Sequence, residues 1–133
     1  MAAEFRARAA GYQAAWNALP ASIRSLTVIR DTPRMLDGGR TLDCVTRALT
    51  RHQPAGTTCA RPRALALQRD PAALAATRIR SRHVEVIDLT RYFCDRQRCF
   101  PVIGGVLVYK DISHITAIFS TSLGPIIARQ LAH

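Results

Sequence analysis

Two short apolar runs constrain this chain most. Leu26-Thr27-Val28-Ile29 and Val84-Glu85-Val86-Ile87-Asp88-Leu89 are rich in β-branched residues and show no sustained alternation. Runs of that kind suit short strands of a parallel sheet covered on both faces by helices. The segments between them supply helices. Glu4 to Leu19 carries Phe5, Ala9, Tyr12 and Trp16 at three- and four-residue spacing, with Pro20 past its end. Thr41 to Thr50 suits a short helix, and Pro62 to Arg80 suits two, split at Asp70-Pro71. A third strand is expected at Val106-Leu107-Val108-Tyr109 after Gly104-Gly105. A last helix is expected from Ile115 to Leu131, bent near Gly124-Pro125. The fold class is α/β. In such sheets function gathers outside the carboxyl ends of the strands. That singles out Asp31 to Arg34, Asp88 to Cys94, and Lys110 to His114.

The chain has 133 residues, enough for one domain, and 48% of them are apolar, which argues against disorder. No run of about 18 apolar residues is present, so no membrane-spanning helix is expected. The first residues, Met1 to Arg8, carry charges where an export signal needs an apolar stretch. The formal charge of +10 comes almost wholly from arginine, with Lys110 the one lysine. A charge of that sign concentrates anionic partners. Nucleic-acid binders usually cluster their charge on one patch with aromatics interleaved. Here the arginines are scattered in short groups (Arg61/Arg63, Arg78/Arg80/Arg82, Arg96/Arg98), so a solvated basic surface is favoured over nucleic-acid binding.

Cys44, Cys59, Cys94 and Cys99 allow three pairings. The simplest, Cys44–Cys59 with Cys94–Cys99, closes two local loops. Zinc is the rival reading, but structural zinc sites favour CxxC or HxxxH spacings, and neither occurs. No metal or other cofactor is expected. Disulfides imply an oxidising compartment. That agrees with the absence of a leader only if the chain is one part of a larger exported or membrane-attached protein.

The sequence Tyr109-Lys110-Asp111-Ile112-Ser113-His114-Ile115-Thr116 follows the third run. A carboxylate and an imidazole three residues apart can face each other across one tight turn. The carboxylate can then fix the ring tautomer and stabilise the cation formed when the other nitrogen takes a proton. D-x-x-H alone is a weak signal. The rival reading has Asp111 or Ser113 capping a helix N-terminus beside an incidental His114. Ser113, Ser120 and Ser122 do not stand at a strand-to-helix elbow of the kind that exposes a nucleophile. His52, His83 and His133 suit surface positions.

These residues also carry a resemblance. Val86 to Pro125 includes Val-Ile-Asp-Leu-Thr-Arg-Tyr-Phe-Cys, then Cys-Phe-Pro-Val-Ile-Gly-Gly, then Tyr-Lys-Asp-Ile-Ser-His-Ile-Thr and Ser-Leu-Gly-Pro. This resembles the end of the SGNH hydrolase-like domain fused behind the membrane acyltransferase of acyltransferase family 3, the O-acetylases of cell-surface glycans. Asp31-Thr32-Pro33, and Cys44 followed by Cys59-Ala60-Arg61-Pro62-Arg63, resemble its middle part. The resemblance implies a partial three-layer α/β/α sandwich with a short parallel sheet (SGNH/flavodoxin-like) whose first strands are missing, the whole of 1–133 being its C-terminal half. It implies His114 as general base and Asp111 as its orienting partner. The family's nucleophile is a serine in a Gly-Asp-Ser-His-like motif, and this sequence contains no Gly-Asp-Ser. The oxyanion Gly and Asn have no matching positions, and Gly105 stands where the family often has Asn. The expected function is therefore a fragment of a cell-envelope O-acyltransferase or esterase-type domain, inactive alone. Its parent would face the periplasm or outer side of the membrane. Its partners would be an acylated or acceptor glycan and the missing N-terminal half or membrane domain. The alternative is a basic, non-catalytic domain that binds anionic glycan or nucleic acid.

Overall fold

In the computed structural model all residues except Met1, Asp37 and His133 are described, so the expectation for His133 lies outside the described residues. The chain runs α1 (Ala2–Asn17), β1 (Ser25–Ile29), α2 (Arg40–Thr50), α3 (Ala55–Thr58), β2 (Arg61–Pro62), α4 (Arg63–Ala66) and α5 (Pro71–Ala76). It continues with β3 (His83–Ile87), a 3₁₀ turn (Thr90–Tyr92), β4 (Arg98–Cys99), β5 (Val102–Ile103), β6 (Val106–Leu107) and α6 (Ala117–Leu131). The fold is mixed α/β with a short parallel sheet, as the sequence implies. Two compact units divide it: Met1–Asp31 with Arg69–Leu89, and Thr32–Gln68 with Thr90–His133.

The first unit holds the parallel pair. β1 and β3 run in register from Ser25↔His83 to Ile29↔Ile87. Partners in a parallel ladder share a face, and here each apolar pair is half covered. Val28 is buried while Val86 is 38% exposed, and Ile87 is buried while Ile29 is 50% exposed. Both faces are therefore apolar, as a sheet covered on both sides requires. Asp70 starts α5: its Oδ1 accepts the N–H groups of Ala72 and Ala73, and its Oδ2 accepts the N–H of Asp31. α1 packs on α5, and Arg69 stacks over Phe5 at 4.3 Å. The expected stripe of Phe5, Ala9, Tyr12 and Trp16 is buried only at Ala9.

The second unit holds both disulfides, Cys44–Cys59 and Cys94–Cys99, in the simplest pairing. Val45 and Ala48 of α2 pack on Ala55, flanked by Cys59, Val102 and Leu107. The third strand differs from expectation. Val106–Leu107 pairs antiparallel with Val102–Ile103, apart from the parallel sheet. Gly104 and Gly105, at φ 57° and 77°, form a two-residue turn. Positive φ at both central positions gives the twist that turns a chain back on itself as a hairpin. Beyond β6, Val108 and Tyr109 are fully buried, and Phe93 stacks on both Tyr109 and Phe119. Thr116 caps α6 through its hydroxyl, which accepts the N–H of Phe119. α6 runs unbroken through Pro125, where Thr121, left without its helical N–H partner, is exposed to water.

Candidate functional site

The Asp111–His114 turn is built by the backbone on either side of it. Tyr109 and Ile115 form an antiparallel bridge. The N–H of Lys110 donates to the carbonyl of His114 at 3.0 Å, and that of Thr116 to Val108 at 2.8 Å. Between these closures Asp111 folds its side chain back over the turn. Its Oδ1 accepts the N–H groups of Ser113 (3.0 Å) and His114 (2.8 Å), an Asx-type turn. Its Oδ2 lies 2.8 Å from Nδ1 of the His114 ring. The two rival readings of D-x-x-H thus meet in one carboxylate, which caps a turn and holds the imidazole. The helix cap belongs to neither Asp111 nor Ser113 but to Thr116.

Those hydrogen bonds set the electrostatics. The backbone N–H of His114 first, then that of Ser113, then the His114 ring, draw the Asp111 carboxyl down from 3.8 to about 2. An ionised carboxylate only accepts, so Nδ1 of His114 carries a proton, and in the neutral ring the lone pair then belongs to Nε2. Among the described residues nothing hydrogen-bonds Nε2, and the side chain is 72% exposed against 46% for Asp111. The arrangement can accept a proton at Nε2 and stabilise the resulting cation through Asp111.

Two of the three strand-exit segments singled out in the sequence come together here. The Thr32 hydroxyl donates to the carbonyl of Ser113 at 3.2 Å, and the N–H of Met35 donates to that of Ile112 at 2.7 Å. The third, Asp88 to Cys94, contributes packing through Phe93 and the disulfide at Cys94. No serine hydrogen-bonds Nε2 among the described residues. Ser113 uses its backbone in the turn, Ser120 is exposed on α6, and the Ser122 hydroxyl donates to the carbonyl of Phe119 at 2.6 Å. His52 follows α2 at φ 54° and His83 opens β3, both exposed. Gly105 occupies a φ of 77°, which Asn adopts more readily than other residues with a side chain.

Several arginines are more than a solvated coat. Arg61 donates to the carbonyls of Arg34 and Met35, Arg63 to Asp95, Arg80 to Thr77, and Arg82 to Leu19 and Ile23. Sequence reasoning also missed an open apolar groove of about 780 Å³ between α2 and the β5–β6 hairpin, lined by Leu42, Val45, Leu49, Val102 and Leu107. Its signal was available in Leu42, Val45 and Leu49, which recur at three- and four-residue spacing on α2. Among the described residues no group of three or more His, Cys, Asp or Glu side chains could hold a metal ion, and no helix is long and apolar enough to cross a membrane.

The model of one protein family, described as the SGNH domain fused to AT3 domains, matches residues 2–129. No curated protein and no solved structure matches the chain.

Proposed function

Because the chain belongs to the SGNH domain family fused to AT3 domains, an esterase- and acyltransferase-related family, we propose that it carries the acid–base half of an acyl-transfer site, with His114 as general base and Asp111 as its orienting partner. The observation that carries this reading is the 2.8 Å bond from Nδ1 to the Asp111 carboxylate, with Nε2 open at the surface. In the reaction proposed, Nε2 takes the proton of a serine hydroxyl as the serine oxygen attacks an acyl carbonyl. His114 then returns that proton to the departing oxygen. A sugar hydroxyl or water attacks the serine ester in turn and gives its proton to the same nitrogen, which passes it to the serine oxygen as the acyl–serine bond breaks, so serine and neutral imidazole are both regenerated. Both steps balance without a cofactor.

The serine is the missing part. The sequence contains no Gly-Asp-Ser, and the half-covered faces of the two-stranded sheet leave room for further elements of an α/β domain. The chain is then the C-terminal half of such a domain and inactive alone. Its parent is a membrane-attached O-acyltransferase acting on a cell-envelope glycan outside the cytoplasm. The two disulfides support that compartment.

Two measurements test this. The chain alone should take no covalent label from a fluorophosphonate. Mixed with a separately expressed segment of a family member that carries Gly-Asp-Ser, it should hydrolyse p-nitrophenyl acetate, and His114→Ala should lower that rate by roughly 10²–10⁴-fold. Labelling of a serine in the chain alone, or turnover indifferent to His114→Ala, would refute the reading.

A further inference from the structure

We propose that Arg61 is a positioning residue for the Asp111–His114 pair, acting through the Thr32–Met35 segment. Its catalytic meaning rests on the acyl-transfer reading above, while the geometry stands by itself. One guanidinium nitrogen, Nη1, donates to two consecutive carbonyls, Arg34 at 2.8 Å and Met35 at 2.9 Å. The peptide so held then presents the N–H of Met35 to the carbonyl of Ile112 at 2.7 Å, and the Thr32 hydroxyl reaches that of Ser113 at 3.2 Å. Ile112 and Ser113 are the two residues between the carboxylate and the imidazole. Their carbonyls are fixed from outside the turn, so their peptide planes are fixed too. Those planes decide whether the N–H groups of Ser113 and His114 point at Oδ1 of Asp111.

Arg61 is itself well anchored. Its backbone pairs with Cys99, which is bonded to Cys94, and Cys59 two residues upstream is bonded to Cys44. Both disulfides therefore hold the strand from which the guanidinium reaches. The side chain also buries its Nε without a hydrogen-bond partner among the described residues. An unpaired buried N–H is unfavourable, and a smaller residue would avoid it. The two carbonyl bonds from Nη1 are what the arginine supplies in return.

The experiment is a ¹³C NMR titration of the Asp111 carboxyl in the full chain, with amide exchange in α2 and α6 as the control for folding. Arg61→Met should raise the Asp111 midpoint from about 2 toward 3.8, because the two N–H donors lose their aim, with exchange in α2 and α6 unchanged. Arg61→Lys should restore the low midpoint, since an ammonium can still reach a carbonyl. Thr32→Val, which removes the hydroxyl bond to the Ser113 carbonyl, should give a partial rise that Thr32→Ser reverses. A midpoint that stays near 2 in folded Arg61→Met, or a rise that Arg61→Lys does not reverse, overturns the proposal. These readouts need no turnover. A reconstituted wild type without esterase activity would sink the acyl-transfer reading and leave the titration result standing.

Discussion

Two glycine-to-alanine substitutions should move stability in opposite directions, and the structure says by how much. At Gly56 in α3 an added Cβ would lie 2.6 Å from the backbone carbonyl oxygen of Val102. Ordinary contact begins near 3.4 Å, so the β5–β6 hairpin would have to retreat by about 0.8 Å. The obstacle is main chain and cannot rotate away. Against main chain, overpacking of this kind costs ~2–3 kcal/mol, the upper part of its usual range, and the better helix propensity of alanine offsets ~1 kcal/mol, leaving a net loss of about 1–2 kcal/mol. At Gly11, in the interior of α1, a Cβ meets nothing within 4 Å. There Gly11→Ala should stabilise by ~0.5–1 kcal/mol, from backbone entropy alone. The two sites belong to different units, so amide exchange read by mass spectrometry follows each one separately. Exchange in α2 and β5 should quicken by about 5–30-fold in Gly56→Ala, and exchange in α1 should slow severalfold in Gly11→Ala. Equal slowing in both variants would show that the hairpin yields freely and that the close approach carries no energy.

Removing Cys44–Cys59 by paired alanine substitutions closes no loop in the unfolded chain and should cost ~3 kcal/mol, against about 2 kcal/mol of loop entropy for the shorter Cys94–Cys99 span; urea midpoints test the first, and a denatured, non-reduced thiol count should find no free cysteine. Thr116→Val removes both the cap on Phe119 and the 2.7 Å bond to the carbonyl of Leu107, and should lower stability by roughly 1–2 kcal/mol, with amide exchange in the first turn of α6 as the readout. Because the folded carboxyl of Asp111 lies near 2 and its unfolded value near 3.8, its contribution is complete above pH 3.8 and is lost as pH falls toward 2. Asp95, drawn down by the N–H groups of Gln97 and Arg98, should behave in the same sense. Circular dichroism between pH 4 and pH 2 should therefore show a late acid transition, and an Asp111 carboxyl titrating at 3.8 would contradict the geometry of its turn.

What the sequence made legible was whatever is decided locally. Leu26 to Ile29 and Val84 to Ile87 are strands because an unbroken β-branched run has few other uses. Asp70-Pro71 starts a helix because the carboxylate and the ring act within three residues. The cysteine pairing is legible because both loops are short. The direction of Val106–Leu107 was not, since Gly104-Gly105 reads as a break before a strand and acts as the turn of a hairpin. α3 is invisible in Pro54 to Thr58, where the composition is that of a loop and the approach of Gly56 to Val102 is a tertiary fact.

The candidate site divides along the same line. Residue type and spacing announce Asp111 and His114 as a possible pair, but D-x-x-H does not choose between a turn that faces them together and one that splays them apart. That choice is made from a distance: Thr32 is 81 residues from Ser113, and Arg61 lies 26 and 27 residues from the carbonyls it holds. An arginine in a chain full of scattered arginines gives no sign of which one is tied to main chain. The residue types of this candidate site are thus set locally, while its geometry also depends on remote contacts, and the disulfides lie beside the strand of Arg61, at Cys59 and at its partner Cys99, and not on the turn. A covalent staple at the turn would hold two residues that already hydrogen-bond. Beside Arg61 it steadies a side chain that, together with Thr32, sets the remote contacts of the turn.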